Sequence, residues 1–99
     1  MKLRFTPQAL SELDHTLTDI AERSPQGARR VQTRIQATLA LMLRYPESGR
    51  STSLAGLRRI VANPYPYLIF YEISDDAIVA VGVRHAMRDP NSMPGGGET

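Results

Sequence analysis

The chain has 99 residues, 41% of them hydrophobic and 22% charged, which excludes both a multidomain protein and a globally disordered one. Twelve Lys and Arg against ten Asp and Glu leave a small excess of +2, and the absence of cysteine excludes disulfides and thiolate metal sites. All the cations except Lys2 are arginine, the residue suited to flat, bidentate contacts with carboxylate or phosphate, although a GC-rich genome would write the same bias.

The opening "MKLRFTPQAL" lacks the apolar core of a signal peptide, and no run reaches membrane-spanning length, so the expected location is the cytoplasm. Residues 2–5, "KLRF", alternate and predict a short strand with Leu3 and Phe5 on one face. Thr6 and Pro7 then read as a helix N-cap followed by proline at the first helical position, where a missing N–H costs nothing. Leu10, Leu13, Leu17 and Ile20 recur at spacings of three and four and predict one buried helix face. Ser24 and Pro25 repeat the cap-and-proline device. They open a second helix whose apolar side carries Ala28, Val31, Ile35, Leu39, Met42 and Leu43, and Pro46 ends it near Tyr45.

Residues 46–56, "PESGRSTSLAG", read as a loop by composition. Three strands follow at 57–62, 66–73 and 77–85, joined by "NPYP" and "SDDA", turns short enough to demand antiparallel neighbours. The expected fold is therefore α+β: an N-terminal strand, a helix hairpin and a three-stranded antiparallel meander over residues 1–89. The Gly- and Pro-rich residues 90–99 read as a disordered tail.

The middle strand, "YPYLIFYEI", raises the functional question. Alternation places Tyr67, Ile69, Tyr71 and Ile73 on one face and Leu68, Phe70 and Glu72 on the other, beside Val79, Val81 and Val83. One layer of helices covers only one face. The second is expected to be an open apolar surface bordered by arginines, which in a water-exposed domain marks a partner site.

Six segments in order, "FTPQALSEL", "SPQGARR", "RYPESGR", "GLRRIVA", "YLIFYEI" and "VRHAMRD", resemble the RelE/ParE superfamily of bacterial toxins across residues 3–89. The resemblance implies the toxin of a type II toxin–antitoxin pair, forming a hetero-oligomer with a cognate antitoxin that covers the apolar face. Arg58, Leu68, Phe70, Arg84 and Arg88 are the residues expected to bind partners. RelE-like members resemble mRNA endonucleases of the ribosome, which need cations and an acid or base gathered around one phosphate. ParE-like members inhibit DNA gyrase by binding, with no catalytic residues.

In the nuclease pattern an Arg follows the tyrosine that opens the central strand; the matching residue here is Leu68, which cannot hold a phosphate oxygen. The forms "TPQAL", "LRRIV", "YLIFYEI" and "RHAMRD" are closer to the ParE branch. That branch implies DNA gyrase as target, with no sequence-specific nucleic-acid binding by the toxin alone. The alternatives are a nuclease site built from Arg59, Arg84 and His85, or an inactive toxin-like module in an antitoxin repressor complex. Strict alternation sets Arg84 and His85 on opposite faces, which weighs against the first.

Several residues carry plainer expectations. Arg58 is as suited to anchoring the loop as to binding, and Asp89 to holding Arg84 or Arg88. His15 is a surface residue, Asp75 and Asp76 form a turn, and Tyr65, Tyr67 and Tyr71 pack. No ligand spacing suggests a metal, and "PGGGE" is no phosphate loop, so no cofactor is expected.

Overall fold

The computed structural model of the protein describes residues 1–86; Arg88, Asp89 and the tail at 90–99 lie outside the described residues. Strand β1 (Lys2–Phe5) leads into helix α1 (Pro7–Arg23), and helix α2 (Pro25–Arg44) follows after a single residue. Both starts are built as their sequence suggests. The Thr6 hydroxyl accepts the Ala9 N–H at 3.1 Å and the Ser24 hydroxyl accepts the Gly27 N–H at 2.9 Å. Each such cap is worth about 1 kcal/mol.

Beyond α2, a 3-10 turn (Pro46–Ser48) precedes strands β2 (Arg50–Ser51), β3 (Leu57–Val61), β4 (Tyr67–Ile73) and β5 (Ala77–His85). They form one five-stranded sheet in the order β1-β5-β4-β3-β2. The meander is antiparallel, and β1 adds at the far side parallel to β5, with Phe5 opposite Ala80. The helix hairpin covers one face. Val31, Ile35, Leu39 and Met42 of α2 and Ala9 of α1 join Ile69, Tyr71, Ile78 and Ala80 of the sheet in one core. Burying each of the larger of these side chains stabilises the fold by about 2 kcal/mol.

Four features depart from the expectation. Leu10 is not in the buried stripe: it is 56% exposed, and Ala9, one residue earlier, takes the core position. The segment 46–56 is not simply a loop, because it contains β2, and Thr52 closes the remainder by donating to the Leu57 carbonyl at 2.9 Å. Gly56 permits that reversal with φ of +79°.

The third departure is a bulge. Phe70 pairs with Gly82 but Tyr71 pairs with Ala80, so Val81 is an extra residue in β5. The alternation of β5 flips there, and Val83, expected beside Val79 on the second face, turns into the core opposite Ile69. Fourth, the second face is not open at its centre. Phe70 is only 1% exposed and Leu57 is also buried, so Phe70 is not the accessible partner residue that alternation alone suggested.

Candidate functional site

The accessible part of the second face is a groove of about 450 Å³ at the β2–β3 side of the sheet. Arg50, Arg59, Val61, Leu68 and Ala86 contribute to its lining, together with the turn residues Ser48 and Gly49. Register explains the gathering: Arg50 faces Arg59, Arg59 faces Phe70, and Val61 faces Leu68 across three adjacent strands. The result is an apolar floor with two cations at one rim. Among the described residues, no acid–base pair accompanies them in the lining.

A network of hydrogen bonds holds that rim in place. The buried Tyr71 hydroxyl accepts the Gly49 N–H and donates to the Pro46 carbonyl, both at 2.8 Å. Arg58 lies on the helix side of the sheet, opposite Tyr71, and its Nη1 donates to the Gly49 carbonyl at 2.7 Å. Arg58 thus anchors the loop, by carbonyl hydrogen bonds rather than by the salt bridge that its type suggested.

The other expected site residues are placed apart. Arg84 pairs with Leu68 in register, and its Nε bonds Glu12 Oε2 at 3.1 Å. The other oxygen of Glu12 accepts the Val83 N–H at 2.9 Å. This carboxylate stands where β1 has ended, so it satisfies a strand edge as well as a cation. His85 pairs with Tyr67, on the core side, and their rings meet edge to face with centroids 5.1 Å apart. Arg59 and Arg84 therefore share the second face with β4 between them, while His85 belongs to the other. The bulge at Val81 produces this result, since uninterrupted alternation from Val79 would have put His85 on the same face as Arg59.

Sequence reasoning missed Glu12, Gly49 and Arg50. A lone acid on an amphipathic helix carries no signal of a bond to residues 71 and 72 positions away, and a two-residue strand has no periodicity to detect. His15 is exposed and Asp75 and Asp76 lie in an exposed turn, as expected. Among the described residues there is no cluster of His, Asp or Glu able to hold a metal, and no helix is long and apolar enough to cross a membrane.

Helix α1 offers a second surface. Pro7, Leu10, Leu13 and Leu17 line an open cleft of about 610 Å³ with Ser11 and Asp14 at its border. Leu10, missing from the core, is its most prominent apolar group.

Residues 3–90 match the family described as the ParE toxin of the type II toxin–antitoxin system, parDE. A curated relative, Toxin RelE2 of Caulobacter vibrioides, is 36% identical over 84 residues, spanning 85% of this chain and 93% of the relative. The fold is similar to a solved chromosomal ParDE toxin–antitoxin system from P. aeruginosa, with a TM-score of 0.76 at 17% identity, covering 86% of this chain and 95% of that one. It is also similar to a YoeB dimer from Staphylococcus aureus, with a TM-score of 0.62 at 15% identity over 85% and 94% of the two chains.

Proposed function

Because this chain belongs to the ParE toxin family of type II toxin–antitoxin systems, we propose that it inhibits DNA gyrase by binding and is neutralised by a cognate antitoxin in the cytoplasm. The observation that carries the gyrase reading is Leu68. The central strand presents an aliphatic side chain where the nuclease pattern needs a cation, and among the described residues the groove beside it holds Arg50 and Arg59 without an acid or base. Arg84 is engaged by Glu12, and His85 packs on Tyr67 across the sheet. A binding surface of apolar floor and arginine rim suits a protein target, where Arg is enriched and charge-assisted bonds give orientation.

The test is direct. Purified toxin added to gyrase and relaxed plasmid is expected to suppress supercoiling or to trap cleaved DNA, and to leave ribosome-bound mRNA intact. Codon-specific mRNA cleavage that disappears in the Arg84→Ala/His85→Ala variant would make the chain a nuclease instead. Expression without antitoxin separates the readings in cells: filamentation with DNA damage fits gyrase inhibition, arrested translation fits the nuclease, and normal growth fits an inactive module.

We place the antitoxin contact at the α1 cleft rather than on the second face of the sheet, where it was expected, because Phe70 at the centre of that face is buried while the cleft is open. An amphipathic helix or apolar segment could cover Leu10, Leu13 and Leu17 there, a mode of recognition that needs little beyond an exposed apolar stripe. Leu10→Asp should leave the fold intact, because Leu10 is 56% exposed. It should weaken antitoxin binding at least tenfold, about 1.4 kcal/mol or more. Calorimetric titration giving an unchanged affinity would remove the antitoxin from this cleft.

A further inference from the structure

The small net charge conceals a strong segregation between the two helices. Helix α1 carries Glu12, Asp14, Asp19 and Glu22 against the single Arg23. Helix α2 carries Arg29, Arg30, Arg34 and Arg44 and no acidic residue. Arg29, Arg30 and Arg34 are exposed, and no ion pair ties any of them among the described residues. Arg30 and Arg34 are one turn apart, an arrangement that costs a helix a few tenths of a kcal/mol through like-charge repulsion unless an anion lies across both.

These arginines do not stand on a featureless helix surface. With Gln26, Thr33 and Tyr65 they line a groove of about 540 Å³ between α2 and the turn joining β3 to β4. Among the described residues the lining is rich in donors and contains no carboxylate. These described residues also include no large aliphatic anchor of the kind a stable protein interface places at its centre; the less polar members are Ala37, Pro64 and Tyr65. The α1 cleft has the opposite character, apolar at its centre and nearly uncharged. A sugar–phosphate backbone fits the first type of surface, because it asks for cations and hydrogen-bond donors and for no apolar core.

We propose that the arginine face of α2, from Gln26 to Arg34 with Tyr65, is a sequence-independent docking surface for the phosphate backbone of duplex DNA. The choice of duplex DNA rests on the gyrase reading above, since gyrase acts on such a substrate and a toxin bound to it would lie beside the duplex. The contact is to backbone alone. It agrees with the expectation that the toxin has no sequence-specific DNA binding, and it adds an anchor on the opposite side of the molecule from the sheet groove. An affinity of about 10⁻⁶ to 10⁻⁴ M is the expected range for such binding at physiological salt.

The experiment is fluorescence anisotropy of a labelled duplex of about 20 base pairs with the purified full chain, without gyrase, from about 50 to 200 mM salt. Arg30→Ala/Arg34→Ala should bind at least tenfold more weakly at the low-salt end. Its plot of log affinity against log salt should be shallower by about 2, because two fewer counterions are released. Lys2→Ala/Arg4→Ala, which removes the same charge from exposed positions of β1, should stay within about twofold of the unaltered chain. Equal losses in the two variants would reduce the effect to net charge and overturn the site, as would no loss in either or no binding by the unaltered chain. Tighter binding to structured RNA or to a poly-glutamate peptide than to the duplex would also overturn it. Gyrase is absent, so failure of the inhibition assay leaves this result standing, and failure here leaves the inhibition reading standing.

Discussion

Gly49→Ala is expected to lower the stability of the chain by about 3 kcal/mol, read as a fall in the urea midpoint at unchanged slope. The reason is space rather than backbone conformation, since Gly49 has extended angles, φ −80° and ψ 160°, open to any residue. A Cβ at this position would lie 2.6 Å from the Tyr71 hydroxyl and 2.7 Å from the Arg59 carbonyl. Neither can move cheaply. The Tyr71 ring is fully buried, and its hydroxyl is committed to both Gly49 and Pro46.

Tyr71→Phe should cost about 1 to 3 kcal/mol by leaving the Gly49 N–H and the Pro46 carbonyl without their partner. The double variant should not recover, because the Arg59 carbonyl stays where it is. A Gly49→Ala protein within about 0.5 kcal/mol of the parent would mean that the loop yields, and that Tyr71 does not set its position. The consequence reaches function, because Ser48, Gly49 and Arg50 form the rim of the sheet groove. The proposed gyrase inhibition should therefore weaken in Tyr71→Phe even under conditions where the chain remains folded.

Glu12→Ala should be the second costly change, at about 2 kcal/mol. Its carboxylate serves the Val83 N–H and the Arg84 guanidinium together, and the side chains of Glu12 and Arg84 are 24% and 15% exposed. Such partial burial places the pair between a surface bridge of little worth and a buried one whose breakage is severe. Glu12→Gln keeps an oxygen for Val83 but sets an amide NH2 donor where Oε2 accepted from Arg84 and Gln8, so it should cost less than Glu12→Ala while losing the Arg84 bond. Arg84→Ala should also cost less, because Glu12 retains Val83 and the Gln8 amide at 3.0 Å. Chemical denaturation of the three variants checks the order. If Glu12→Gln proved as damaging as Glu12→Ala, the strand-edge bond would not be what holds α1 to β5.

Much of the fold was legible because it depends on neighbours in sequence. Thr6–Pro7 and Ser24–Pro25 start helices through bonds spanning three residues, and Asp75–Asp76 reverses the chain between two strands. Val31, Ile35, Leu39 and Met42 of the α2 stripe are buried as their spacing requires, while Ala28 and Leu43 at its ends are partly buried. The candidate site was less legible. Leu68 and Arg59 do border one groove, but Arg58 turns to the loop, Phe70 is buried, and Arg88 lies outside the described residues. Arg50 joined the groove through a strand too short to announce itself. Leu10 shows the limit of periodicity: Ala9 and Leu10 are 100° apart on α1, and only the position of the sheet selects which one faces it.

By itself the sequence determined where the two helices and the longer strands lie, which helix faces are apolar, and that the central strand carries Leu68 in place of a cation. Those properties follow from local backbone preference and from the periods of helix and strand, both of which act over a few residues. Tertiary structure alone decided that Val81 bulges, that Arg84 answers to Glu12 while His85 turns to Tyr67, and that Tyr71 and Gly49 lock the groove's rim. Each of these joins groups distant along the chain, and their partners are chosen by register and close packing, which no local preference encodes.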